Sequence, residues 1–82
     1  MSQMSVDLQD KLQEIFRSVF ELAPAADVTG VRRLTEPKWD SLAHVSLVAA
    51  IESEFGIELD TADALGITSF RATEIILQEK LG

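Results

Sequence analysis

Eighty-two residues hold seven Lys and Arg against fourteen Asp and Glu, a formal charge of −7, with 46% hydrophobic residues, no cysteine, four glycines and two prolines. That length suits one small domain over residues 1–82, folded rather than disordered. The composition excludes disulfide frameworks and thiolate metal sites, and the charge repels nucleic acid and anionic membrane surfaces.

No tract approaches the roughly 18 apolar residues a membrane span needs, and Met1 to Gln9 lack the basic-then-apolar layout of a signal peptide, so a cytoplasmic location is expected. Leu8, Leu12, Ile15, Phe16 and Val19 form one helical stripe within a first helix read from Ser5 to Leu22. Ser5 is its expected N-cap, Asp7 and Asp10 suit its first turn, and Pro24 is its expected stop, with Ala23 pushed from helical angles. Residues 24–39 then form a long connection with Gly30, Pro37 and no sustained period. Val28, Val31, Leu34 and Trp39 are expected to pin it to the helices, with Arg32 and Arg33 on a solvated face.

Ser41 to Phe55 reads as the second helix, stopped by Gly56 in the left-handed region. A short third helix is expected over Thr61 to Leu65, with Thr61 as cap and Gly66 ending it. A fourth is expected from Phe70 to Lys80, capped by Ser69, with Phe70, Thr73, Ile76, Leu77 and Leu81 inward. No strand-like alternation or internal repeat appears. The fold class is all-α: a small four-helix bundle of three main helices and one short one, with a long first loop.

At about 100° per residue the second helix carries two apolar arcs. His44, Leu47, Val48, Ile51 and Phe55 form the core arc. Leu42, Val45, Ser46, Ala49, Glu52 and Ser53 lie opposite, where a helix packed on one side only is normally charged. Ser41 opens this helix, where backbone N–H groups point outward and the dipole favours negative charge, a position suited to a phosphodiester.

Asp40-Ser41-Leu42, with Ala43-His44-Val45-Ser46-Leu47-Val48 and the run Glu54-Phe55-Gly56-Ile57-Glu58-Leu59, resembles the prosthetic-group site of acyl carrier proteins. The likeness covers nearly the whole chain, most strongly Trp39 to Leu59. It implies a non-catalytic carrier whose Ser41 receives 4′-phosphopantetheine from coenzyme A, transferred by a separate magnesium-dependent phosphopantetheinyl transferase. Asp40 would lie beside that enzyme's metal and orient the helix start. Leu42, Val45, Ala49 and Glu52 would be contacts for acyl-transferring or condensing enzymes with basic docking surfaces. The carrier is expected to be a cytoplasmic monomer.

Ala43, Ser46, Ala49 and Ser53 leave much of helix two neutral, unlike the acidic stripe of fatty-acid carriers, so a dedicated pathway such as polyketide-like secondary biosynthesis is favoured over housekeeping lipid synthesis. Trp39 stands where many members have a small residue. The Gly-Gly pair typical of peptidyl carriers is absent, which sets the aminoacyl-carrier alternative lower, and a helical adaptor never modified is a further alternative. A Ser41–His44 dyad lacks an orienting acid and a Gly-x-Ser-x-Gly elbow, and His44 falls on the core arc. Glu58, Asp60 and Asp63 lack the spacing of a calcium loop and read as helix-capping acids, leaving no metal site expected.

Overall fold

The computed structural model describes the backbone of residues 2–82 and the side chains of residues 7–82. Four helices follow in order: α1 (Ser2–Val19), α2 (Ser41–Phe55), α3 (Thr61–Gly66) and α4 (Phe70–Leu81). No strand is present among the described residues; one isolated bridge pairs Arg32 with Ser69.

The first helix departs from expectation at both ends. Its backbone is helical from Ser2, so Ser5 lies inside it rather than capping it, and Asp7 and Asp10 fall beyond the first turn. It ends at Val19, before Leu22 and Pro24, in a left-handed turn at Glu21 (φ 53°). There the Glu21 amide donates to the Ser18 carbonyl (3.3 Å) and the Leu22 amide to the Arg17 carbonyl (2.8 Å), pairing carbonyls the helix end leaves open. Phe20, just before this turn, keeps the helical bond of its amide to the Phe16 carbonyl (3.1 Å) and is the next core residue after Leu12 and Phe16 on the same stripe.

Leu12, Phe16 and Phe20 meet Val28, Trp39, Leu47, Ile51, Ile67, Phe70 and Leu77 in one core. Phe16 is its hub, with edge-on contacts to Phe20 (5.6 Å), Trp39 (5.7 Å) and Phe70 (5.1 Å) between ring centroids. Such pairs contribute about 0.5–1.5 kcal/mol each beyond their buried area. Among the described residues Thr73 is the buried polar side chain, and its hydroxyl donates to the Ser69 carbonyl at 2.7 Å.

The long connection is held largely by its backbone. The Arg33 amide donates to the Thr68 carbonyl (2.9 Å) and the Phe70 amide to the Val31 carbonyl (3.0 Å), tying the loop to the entrance of α4. Arg17 reaches from α1 to the Ala26 carbonyl (3.0 Å). Asp27 accepts from the Thr29 amide (3.0 Å) and hydroxyl (2.7 Å), and these bonds, the amide first, hold its carboxyl below the usual value. Val28 and Trp39 are buried and Val31 half-buried, as expected, but Leu34 is 90% exposed. The backbone anchor at Arg33 leaves the next side chain outside the packing.

The second and fourth helices follow the reading closely. Gly56 closes α2 at φ 65°, its amide donating to the Glu52 carbonyl. Ser69 caps α4 through the Ala72 amide (3.0 Å). The cap of α3 is Asp60 rather than Thr61: Asp60 accepts from the Asp63 amide (2.8 Å) while Asp63 accepts from the Asp60 amide (3.3 Å). That helix runs through Gly66 and α4 through Leu81. Leu81, expected inward, is exposed in the last turn of α4.

Candidate functional site

Asp40 is the N-cap of α2, extended at φ −97°, ψ −174°, and its Oδ1 accepts from the Ala43 amide at 2.8 Å. Its carbonyl accepts from the His44 amide at 2.9 Å. Ser41 is therefore the first helical residue, with an exposed side chain. The Ser41 and Leu42 amides lie in the opening turn, where a helix has no internal acceptors for its N–H groups. An accessible hydroxyl beside outward amides, at the positive end of the dipole, fits a phosphate-linked group.

Leu42 and Val45, one residue and one turn from Ser41, are 77% and 65% exposed. Ser46, Ala49 and Ser53 are exposed as well, while Leu47 and Ile51 are fully buried and His44, Val48 and Phe55 half-buried. The two arcs thus face as read, apart from Glu52. That side chain is half-buried at the edge of the core arc, and its Oε2 accepts from the Leu59 amide at 2.8 Å. Its carboxylate shapes the turn after α2 in addition to any charge it offers outward.

Both ring nitrogens of His44 are engaged away from Ser41. Its Nδ1 accepts from the Trp39 Nε1–H at 3.0 Å, and its Nε2 lies 3.0 Å from the Ala64 carbonyl of α3. These two bonds together require the neutral tautomer with the proton on Nε2. The imidazole lies near-parallel to the indole, with centroids 6.1 Å apart and planes 23° apart. Trp39 in turn packs on Phe20, with centroids at 5.0 Å, and on Phe16. The signal for this pair was present in the sequence: a buried indole N–H needs an acceptor, and His44 follows five residues later.

Asp60 and Asp63 are capping residues, as expected, and Asp63 also pairs with Lys80 of α4 at 2.7 Å. The Lys80 hydrogen bond holds the Asp63 carboxyl below its usual value, and the same bond raises the Lys80 ammonium. Glu58 is exposed.

Residues 10–77 match the family described as "Phosphopantetheine attachment site". The chain belongs to that family. The match contains all of α2 and most of the bundle, and a domain of this kind is the attachment site of 4′-phosphopantetheine. The chain is also similar to "Acyl carrier protein 2, chloroplastic" of Spinacia oleracea, 34% identical over 65 residues. That alignment takes in 79% of this chain and 50% of the relative, so it spans about half the relative's length. The family match and this likeness together support the acyl carrier protein family. Among the described residues no helix is long and apolar enough to cross a membrane.

Proposed function

We propose that residues 1–82 form one monomeric, cytoplasmic carrier domain that bears 4′-phosphopantetheine on Ser41 and presents acyl thioesters to partner enzymes. The observation that carries this reading is the exposed Ser41 hydroxyl at the first turn of α2, flanked by exposed Leu42 and Val45. The arm supplies a terminal thiol that holds cargo as a thioester. Ser41 provides the attachment oxygen; Asp40 holds the turn that presents it, through Ala43, and keeps one carboxylate oxygen beyond that bond, available beside the transferase's metal.

A serine with no neighbouring base is a weak nucleophile, which accords with activation by a separate phosphopantetheinyl transferase. Tethering raises the cargo's effective concentration at a docked active site. Leu42, Val45 and Ala49 form the apolar contact surface for acyl-transferring or condensing enzymes, and Glu52 adds charge at its edge toward their basic residues.

A dedicated biosynthetic pathway is favoured over housekeeping fatty acid synthesis. Glu52 and Glu54 are the only acids within α2, and Glu52 already accepts from the Leu59 amide. A housekeeping synthase that elongated chains on this carrier as well as on its own would overturn that preference.

Coexpression with a broad-specificity transferase, followed by intact-mass measurement, tests the central reading. The expected result is a gain of one phosphopantetheine in the parent chain and none in Ser41→Ala. A parent that gains nothing, or a gain that survives Ser41→Ala, refutes it.

A further inference from the structure

The His44 imidazole joins three parts of the fold at one point: the end of the long loop through Trp39, the first turn of α2 on which it sits, and α3 through Ala64. Its two bonds respond differently to a proton. Nε2–H donates to the Ala64 carbonyl in either charge state. Nδ1 accepts from the indole only while the ring is neutral; a proton there sets two N–H groups against each other across 3.0 Å. Protonation therefore breaks the Trp39 side and leaves the α3 side attached.

The charged groups around the pair are largely engaged with one another or with the backbone. From α1, Trp39 is faced by Phe16 and Phe20, both uncharged. On the loop, Lys38 directs Nζ to the Glu21 carbonyl (3.3 Å), and Asp40 uses Oδ1 on the Ala43 amide. Within α2, Glu52 accepts from the Leu59 amide. Beside α3, Asp60 and Asp63 cap one another's amides, and Asp63 meets Lys80 of α4. The Trp39 side chain has one donor, and it is committed to His44.

We propose that the Trp39–His44 bond is a proton-operated latch beneath the attachment turn: the neutral ring holds Trp39 against α2, and acidification releases Trp39 while α3 stays fastened. Trp39 immediately precedes the cap residue Asp40, so release loosens the turn that presents Ser41. Only that consequence for Ser41 rests on the carrier reading. The latch is testable on the unmodified chain.

The chain has one tryptophan and one histidine, so both partners report separately. The experiment follows the Trp39 indole N–H resonance, Trp39 emission and the His44 ring signals by NMR and fluorescence from about pH 8 to pH 5, the range in which an imidazole changes charge. His44→Gln serves as the control, since its amide oxygen accepts, its amide nitrogen donates and neither titrates. The expected result is an indole signal that shifts with the His44 midpoint and exchanges faster with water in acid, with amide protection in α3 retained. His44→Gln is expected to show a flat indole signal. The latch is overturned by an indole signal that stays still while the ring titrates. It is equally overturned by a ring that does not titrate before global unfolding, or by parent and His44→Gln titrating alike. Should His44→Gln not fold, the parent's paired midpoints and α3 protection decide.

Discussion

Replacing Glu21 by glycine should stabilise the protein, although it deletes a side chain and touches no core residue. Glu21 sits at φ 53°, the left-handed turn that closes α1, and it is the only non-glycine residue with positive φ among the described residues. A side chain there costs roughly 1–2 kcal/mol through the approach of Cβ to the following carbonyl. Glycine removes that cost but loses about 0.5–1 kcal/mol more backbone entropy on folding, leaving a net gain of about 0.5–1 kcal/mol. The bonds that define the turn are unaffected, because Glu21 contributes only main-chain atoms: its amide to Ser18 and its carbonyl to the Lys38 ammonium. With unfolding entropy near 2.1 cal/mol/K per residue, an 82-residue chain gains about 3–6 °C in Tm. Glu21→Ala is the proper control, because it removes the same charge and retains Cβ. Thermal unfolding followed by circular dichroism should rank Glu21→Gly clearly above Glu21→Ala, with the latter near the parent. A Glu21→Ala protein equal to or more stable than Glu21→Gly would refute the argument from backbone strain.

The half-buried Glu52 carboxylate should matter as an acceptor more than as a charge: Glu52→Ala leaves the Leu59 amide without its partner and should cost about 1–2 kcal/mol in a denaturant titration. Glu52→Gln keeps an acceptor oxygen and should recover more than half of that loss; equal losses in the two variants would refute the assignment. The Asp63–Lys80 pair predicts two flanks in the pH dependence of stability. Asp63 is lowered in the folded state, chiefly by the Lys80 hydrogen bond, so its contribution is present above the unfolded carboxylate value and lost as the pH falls through the lower folded one. Lys80 is raised, chiefly by the same bond, so its contribution is present below the unfolded lysine value and lost as the pH rises through the higher folded one. The stability difference between the parent and Asp63→Asn should therefore be greatest near neutrality and shrink below about pH 4 and above about pH 10; a difference that does not change with pH would exclude the pair as its source.

The contrast between Glu21 and Gly56 explains what was legible in the sequence. Both occupy left-handed positions just past a helix, at φ 53° and φ 65°. Gly56 advertises its role because glycine enters that region without cost, whereas glutamate carries no such mark and Pro24, three residues on, carries the stronger stop signal. The choice of Asp60 over Thr61 was within reach. Both are capping types, but only Asp60 has an acid three residues on to return the bond. The fastening of the loop was not within reach, since Arg33 to Thr68 and Val31 to Phe70 are main-chain bonds that any side chains permit. Leu34 is exposed for that reason: apolar character does not decide the burial of a residue whose backbone neighbour is already anchored.

The site was more legible than the loop because α2 leaves few alternatives. At about 100° per residue, the buried Leu47 and Ile51 and the half-buried His44, Val48 and Phe55 cluster around one direction. Leu42 and Ala49 fall roughly opposite, with Val45 toward that side and Glu52 at the border, which is where Glu52 becomes half-buried. Rotating the helix to cover Leu42 and Val45 would lift Leu47 and Ile51 out of the core, exchanging two exposed apolar residues for two others. The Asp40 cap and the His44 bonds to Trp39 and Ala64 anchor the same rotation at its first turn. A helix with two apolar arcs and one core must leave an arc outside, and the caps and packing settle which. Exposure beside Ser41 is therefore imposed by the fold, and a surface imposed at the attachment turn meets every enzyme that reaches for the serine.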